Sequence, residues 1–113
     1  MDDVFRALAD VSRRELLDRL FARNGQTLNE LCARLANSLA KSGASMTRQA
    51  VSKHLAILEG ANLVATVKRG REKLHYLNPV PINEIAERWI GKYERHRLSA
   101  LAELKKGLEA KNE

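Results

Sequence analysis

The stretch TRQAVSKHLAILEGANLVATVKRGREKLHYL, residues 47–77, decides the fold of this chain. In its first half Ala50, Val51, Leu55 and Leu58 recur at helical spacing and share one face. Thr47, or Ser45 before it, is the expected cap, and Gly60 with Asn62 marks the helix end near Glu59. The second half changes period. Leu63-Val64-Ala65-Thr66-Val67 is β-prone, and Lys73-Leu74-His75-Tyr76-Leu77 alternates. Arg69-Gly70-Arg71 lies between them, with Gly70 available for a tight turn. The stretch therefore predicts a helix followed at once by a β-hairpin.

Upstream, the pattern is helical throughout. Val4, Leu8 and Val11 mark the inner face of a short first helix. Ser12 is the expected cap of a second, whose Leu16, Leu17, Leu20 and Phe21 face inward and which Asn24-Gly25 ends. Thr27-Leu28-Asn29-Glu30 has the form of a capping box. It opens a third helix with Leu28, Leu31, Cys32, Leu35, Ala36 and Leu39 on one side. Gly43, within Lys41–Ser45, allows a turn. Third and fourth helices thus form a helix-turn-helix candidate, and the hairpin is its wing. Downstream, Asn78-Pro79-Val80-Pro81 closes the strand, and Pro81 can start a last helix. From Ile82 to Leu108 an apolar stripe runs at spacings of three and four, through Ile85, Trp89, Tyr93, Leu101 and Leu104. The expected fold is mainly α: a winged helix-turn-helix of about five helices plus a two-stranded wing, with residues 1–113 as one domain.

With 113 residues, 44% hydrophobic and 30% charged, the chain suits one globular domain whose core gains from a partner. No apolar run is long enough to span a bilayer. The acidic start Met1-Asp2-Asp3 lacks the layout of a signal peptide, and a single Cys32 forms no internal disulfide, so a cytoplasmic location is expected. The net charge is +6. Residues 1–46 and 82–113 each carry seven bases against six acids. Residues 47–81 carry Arg48, Lys53, Lys68, Arg69, Arg71 and Lys73 against only Glu59 and Glu72. A basic surface concentrated in the helix and hairpin attracts polyanions.

The outward face of the fourth helix presents Arg48, Gln49, Ser52, Lys53 and His54 near its N-terminal half, where a recognition helix meets base edges. Glutamine bonds adenine in bidentate fashion, arginine and lysine bond guanine, and serine bonds base edges or phosphate. By itself this is also what a solvated polar face looks like. The adjacent hairpin, with Lys68, Arg69, Arg71 and Lys73 around its turn, favours duplex DNA, because such a tip can straddle phosphates.

Several segments carry a family resemblance. Val4-Phe5-Arg6-Ala7-Leu8-Ala9-Asp10, then Ser12-Arg13-Arg14-Glu15-Leu16-Leu17, is similar to the opening of the ArsR (arsenical-resistance repressor) family of winged-helix proteins. Gln49-Ala50-Val51-Ser52-Lys53-His54-Leu55 resembles that family's recognition helix, and Leu58 to Val64 the segment after it. Arg69 to Leu77 resembles its wing. The match runs in order over nearly the whole chain. It implies a symmetric homodimer built on the first and last helices, here Val4, Leu8, Ile85, Trp89, Tyr93, Leu101 and Leu104. It also implies binding to an inverted-repeat DNA operator, repression of transcription, and release by an effector.

The sequence departs from the family in two places. Many members hold thiophilic metals with a Cys-x-Cys pair in the third helix. Here Glu30-Leu31-Cys32-Ala33-Arg34 keeps the first cysteine and replaces the second by Arg34. Others use Asp/His pairs on the last helix, where His96 stands alone and Gly107 occupies the later position. No metal or other cofactor is expected, and Cys32 is expected to be a buried structural residue. The second departure is length: residues 37–45 are more than the family's tight turn needs, and Leu39 keeps the helical period, predicting a longer third helix. Enzymatic activity is not expected, since no phosphate loop, carboxylate pair or nucleophile arrangement is present. Two alternatives stand beside the repressor: a metal- or thiol-responsive sensor of the same fold, and a helical interaction module without specific DNA binding. The second leaves the central positive charge unexplained.

Overall fold

The computed structural model describes residues 1–40 and 46–111. In order these form α1 (Asp2–Leu8), α2 (Val11–Ala22), α3 (Leu28–Ala40), α4 (Arg48–Gly60), β1 (Val64–Arg69), β2 (Glu72–Leu77), α5 (Val80–Ile85), a π-helical turn (Ala86–Ile90) and α6 (Gly91–Lys111). This is the expected order of helices and hairpin. Residues 1–81 and 82–113 cluster as two compact units.

In the first unit α2, α3 and α4 enclose one core. Leu16 and Leu20 of α2, Leu31 and Leu35 of α3, and Val51, Leu55 and Leu58 of α4 are buried, as is Leu63 just before the hairpin. Each buried leucine contributes roughly 1.5–3 kcal/mol. The cores of α1 and α2 differ from expectation in detail. Val4 and Ala7 are the buried residues of α1, while Leu8 is half-buried and Val11 is exposed as the first residue of α2. Phe21 is 81% exposed, because the buried stripe of α2 is Leu16, Leu17 and Leu20, and Phe21 lies a further helical step round from Leu20.

The cap of α2 is Asp10, not Ser12. Asp10 Oδ1 accepts from the Ser12 and Arg13 amides at 2.8 and 3.2 Å, and Ser12 lies inside the helix. Burial pushes the Asp10 carboxyl up, but those two amides, with His54 and Arg13 nearby, outweigh it and hold the group below its ordinary 3.8. A carboxylate with a depressed folded value stabilises the fold above its unfolded value, and that stabilisation is lost as pH falls through the folded one. Asp10→Ala is therefore expected to cost about 1 kcal/mol at neutral pH. The gap from wild type should shrink below pH 3.8, which urea unfolding at several pH values will measure.

The capping box at α3 forms as expected. The Glu30 amide donates to Thr27 Oγ1 and the Thr27 amide donates to Glu30 Oε1, each at 3.2 Å. The Thr27 amide bond is the main reason that the Glu30 carboxyl lies below its ordinary value. The helix continues to Ala40, as the longer reading of this segment predicts. The side chains of Ala36 and Leu39, the turn at Gly43 and the alternative cap Ser45 lie outside the described residues.

The hairpin is antiparallel, pairing Val64 with Leu77 through to Arg69 with Glu72. Gly70 takes φ +62° in the turn. A contact that local patterns do not display fixes the hairpin to the helices. Gln26, between α2 and α3, forms a bridge with His75 of β2. The Gln26 side chain is fully buried, and its amide nitrogen donates to the Arg19 and Arg23 carbonyls at the end of α2.

The helix expected to start at Pro81 begins one residue earlier, at Val80. The π turn follows, with the Gly91 amide bonded to the Ala86 carbonyl. Every residue from 92 to 110 is exposed.

Candidate nucleic-acid interface

Helix α4 starts at a defined point because Thr47 caps it, its Oγ1 accepting from the Ala50 amide at 3.1 Å. Once Val51, Leu55 and Leu58 are buried, the helical period fixes what the rest of the helix offers. Gln49, Ser52 and Lys53 are exposed, and Gln49 and Lys53 lie nearly opposite the buried stripe. Arg48 and His54 flank the stripe on its two sides. Arg48 is exposed, and His54 is half-buried. His54 does not hang free, since its Nδ1 lies 3.2 Å from Arg13 Nη1 on α2.

On the Arg48 side, an open groove of about 430 Å³ separates α4 from the hairpin. Arg48, Ser52, Arg71, Lys73 and His75 line it, with Leu28 and Asn29 from the first turn of α3. His75 is buried, and its Nδ1 lies 3.0 Å from the Gln26 carbonyl, which can only accept, so the proton is on Nδ1.

The four hairpin cations are not equivalent. Lys68 and Arg71 have no ion pair among the described residues. Arg69 meets Glu72 across the turn at 3.9 Å, both being well exposed. Lys73 reaches back to Glu59 of α4 at 3.1 Å, and the Glu59 side chain is only 27% exposed. An exposed pair such as Arg69–Glu72 is worth about 0–1 kcal/mol and yields readily to another anion. Lys73 instead ties the hairpin to the end of α4. Counting charges in the sequence gave Lys73 the same standing as its neighbours; the ion pair separates it.

The residues expected at a dimer interface fall into two groups. Val4 is only 7% exposed and belongs to the core of residues 1–81, with Leu8 half-buried; Phe5 and Val11 are among the apolar side chains exposed near them in sequence. In residues 82–113, Ile85 is half-buried, while Trp89, Tyr93, Leu101 and Leu104 are exposed. Trp89 is therefore not a core residue of the single chain; the Arg88 guanidinium sits 5.2 Å from its ring centre. Cys32 is half-buried rather than buried, with burial pushing its thiol up against the pull of Arg48.

Comparison with known proteins gives a consistent set of likenesses. Residues 8–67 match a family described as a helix-turn-helix domain. The chain is 42% identical over 89 residues to YuzN, an HTH-type transcriptional regulator of Bacillus subtilis, covering 79% of this chain and 94% of that one. Among solved structures it is similar to an ArsR-like transcriptional regulator from a Rhodococcus species. That match has a TM-score of 0.66 and 31% identity, over 94% of this chain and 90% of the other. It is also similar to HlyU from Vibrio cholerae, with a TM-score of 0.58 and 26% identity, over 85% and 87% of the two chains.

Proposed function

The chain belongs to the ArsR family of helix-turn-helix transcriptional regulators, and from that premise we propose that it is a dimeric repressor of an inverted-repeat operator, acting in the cytoplasm. The observation that carries this reading is the outer face of α4. Gln49, Ser52 and Lys53 stand exposed on a capped helix, beside a hairpin whose Lys68 and Arg71 have no ion pair among the described residues. Side chains of this chemistry read base edges, and hairpin cations hold the phosphates on either side.

The support for dimerisation is α6. A 21-residue helix with no buried side chain among its described residues gains little from packing in the single chain, and most helical stability in proteins comes from packing an apolar face. Tyr93, Leu98, Leu101, Leu104 and Leu108 give it such a face, and a second copy offers the same stripe in return. Two-fold symmetry then sets two α4 helices on half-sites about 34 Å apart. A dimer held on the operator blocks the polymerase, which is repression.

Capture of genomic fragments by the purified protein, followed by sequencing, tests the reading and supplies the operator. On that operator Gln49→Ala is expected to cost about 1–3 kcal/mol and to relax preference at one base pair of each half-site. Its binding to unrelated DNA should hardly change. Unchanged operator affinity in both Gln49→Ala and Ser52→Ala gel shifts would remove α4 from base readout.

A further inference from the structure

We propose that Arg13 holds His54 in the tautomer with its proton on Nε2, and so gives α4 a fixed hydrogen-bond donor for DNA. The donor role rests on α4 being the DNA-reading helix; the tautomer does not. A guanidinium carries only donors, so the His54 Nδ1 that meets Arg13 Nη1 at 3.2 Å must be the acceptor. A neutral imidazole that accepts at Nδ1 carries its proton at Nε2.

Arg13 is itself held firmly. Its Nε donates to the Ala7 carbonyl at 2.8 Å and its Nη2 to the Arg6 carbonyl at 3.0 Å. The C-terminal carbonyls of α1 thus set the plane of the guanidinium. Its backbone amide is fixed as well, donating to Asp10 at the cap of α2. The one remaining edge of the fork meets His54. Protonating His54 would remove the acceptor and place a second cation against Arg13.

His54 is half-buried, and its Nε2 has no partner among the described residues. A ring free to change tautomer can meet donors or acceptors alike. A ring fixed with Nε2–H accepts nothing there. It bonds N7 and O6 of guanine, N7 of adenine, O4 of thymine or a phosphate oxygen, and rejects the amino groups of adenine and cytosine. Arg13 is in this sense a positioning residue. It touches no DNA, yet it decides which DNA atoms His54 can bond.

Long-range nitrogen–proton NMR of the histidine-labelled full chain at mildly alkaline pH tests the tautomer without DNA. His54 is expected with its proton on Nε2, and His75, whose Nδ1 faces a carbonyl, supplies the opposite tautomer as internal reference. Arg13→Met should move His54 to a mixture of tautomers. Should that variant fold poorly, Arg13→Lys keeps the charge, loses the fork and should do the same. A wild-type His54 protonated on Nδ1, or on both nitrogens, would overturn the proposal.

Gel shifts on the operator test the donor. His54→Gln, whose amide nitrogen stands near Nε2, should bind within about threefold of wild type, and His54→Phe should lose about tenfold or more. Arg13→Met combined with His54→Phe should lose little beyond His54→Phe alone, since both remove one device. A loss confined to one base pair identifies a base edge as the acceptor, and a uniform loss identifies phosphate; both support the donor. Full affinity in His54→Phe would overturn it. No specific binding by wild type would overturn the reading of α4 and the donor role with it, while the spectra still decide the tautomer.

Discussion

Replacing Leu101 and Leu104 by glutamate is expected to make the protein monomeric and to weaken operator binding by about 10²–10⁴-fold. Both side chains are exposed on α6, and neither belongs to the core of residues 1–81. The substitutions should therefore leave the melting of the helix-turn-helix unit nearly unchanged. What they remove is the linkage of two α4 helices. In a dimer the second half-site is bound at the effective concentration set by the first, and a monomer loses that gain without losing a single DNA contact. Two carboxylates facing their symmetry mates add repulsion to the lost apolar contact. Sedimentation equilibrium at micromolar concentration reads the mass, and a gel shift on full and half operators reads the affinity. A dimeric mass in the double variant would move the interface away from α6. The exposed Phe5 and Val11 would then be the next residues to test.

The order of elements was legible because each has a local cause. Periodicity marked α2 to α4, the reciprocal bonds of Thr27 and Glu30 marked the start of α3, and Gly70 marked the turn. What escaped has non-local causes. Asp10 and Ser12 are equally good cap formers two residues apart, and only the backbone shows that Asp10 stands outside the helix and Ser12 within it. Phe21 keeps the spacing of a core residue, yet it is exposed, and period alone does not say how wide a face is covered. Gln26 lies in what reads as a polar loop. Its burial depends on the α2 carbonyls that it caps and on His75, 49 residues away in sequence. The site divides similarly. Gln49, Ser52 and Lys53 follow from the burial of Val51 and Leu55, whereas the partners of His54 and Lys73 come from other elements. The Arg69–Glu72 pair is the one that could have been foreseen, since a two-residue turn sets its flanking residues opposite each other.

That division among the hairpin cations leads to the second large effect. Arg69→Ala with Arg71→Ala is expected to flatten the plot of log affinity against log salt by about two units, one for each phosphate contact and its released counterion. The loss should be about tenfold per contact, from about 1.5 kcal/mol for a hydrogen bond to a charged group, and alike for operator and unrelated DNA. Arg69 counts as a contact despite Glu72, because an exposed pair 3.9 Å apart is too weak to keep it from a phosphate. Lys73→Ala should behave differently. It leaves the Glu59 carboxylate unpaired beside the groove, where it repels the backbone, and loosens the hairpin from α4. Adding Glu59→Gln removes the repulsion and should recover most of the loss, with a salt slope close to wild type. If Lys73→Ala lowers the slope by a full unit and Glu59→Gln recovers nothing, Lys73 leaves its ion pair to bind phosphate, and the hairpin carries one more contact than its resting geometry provides.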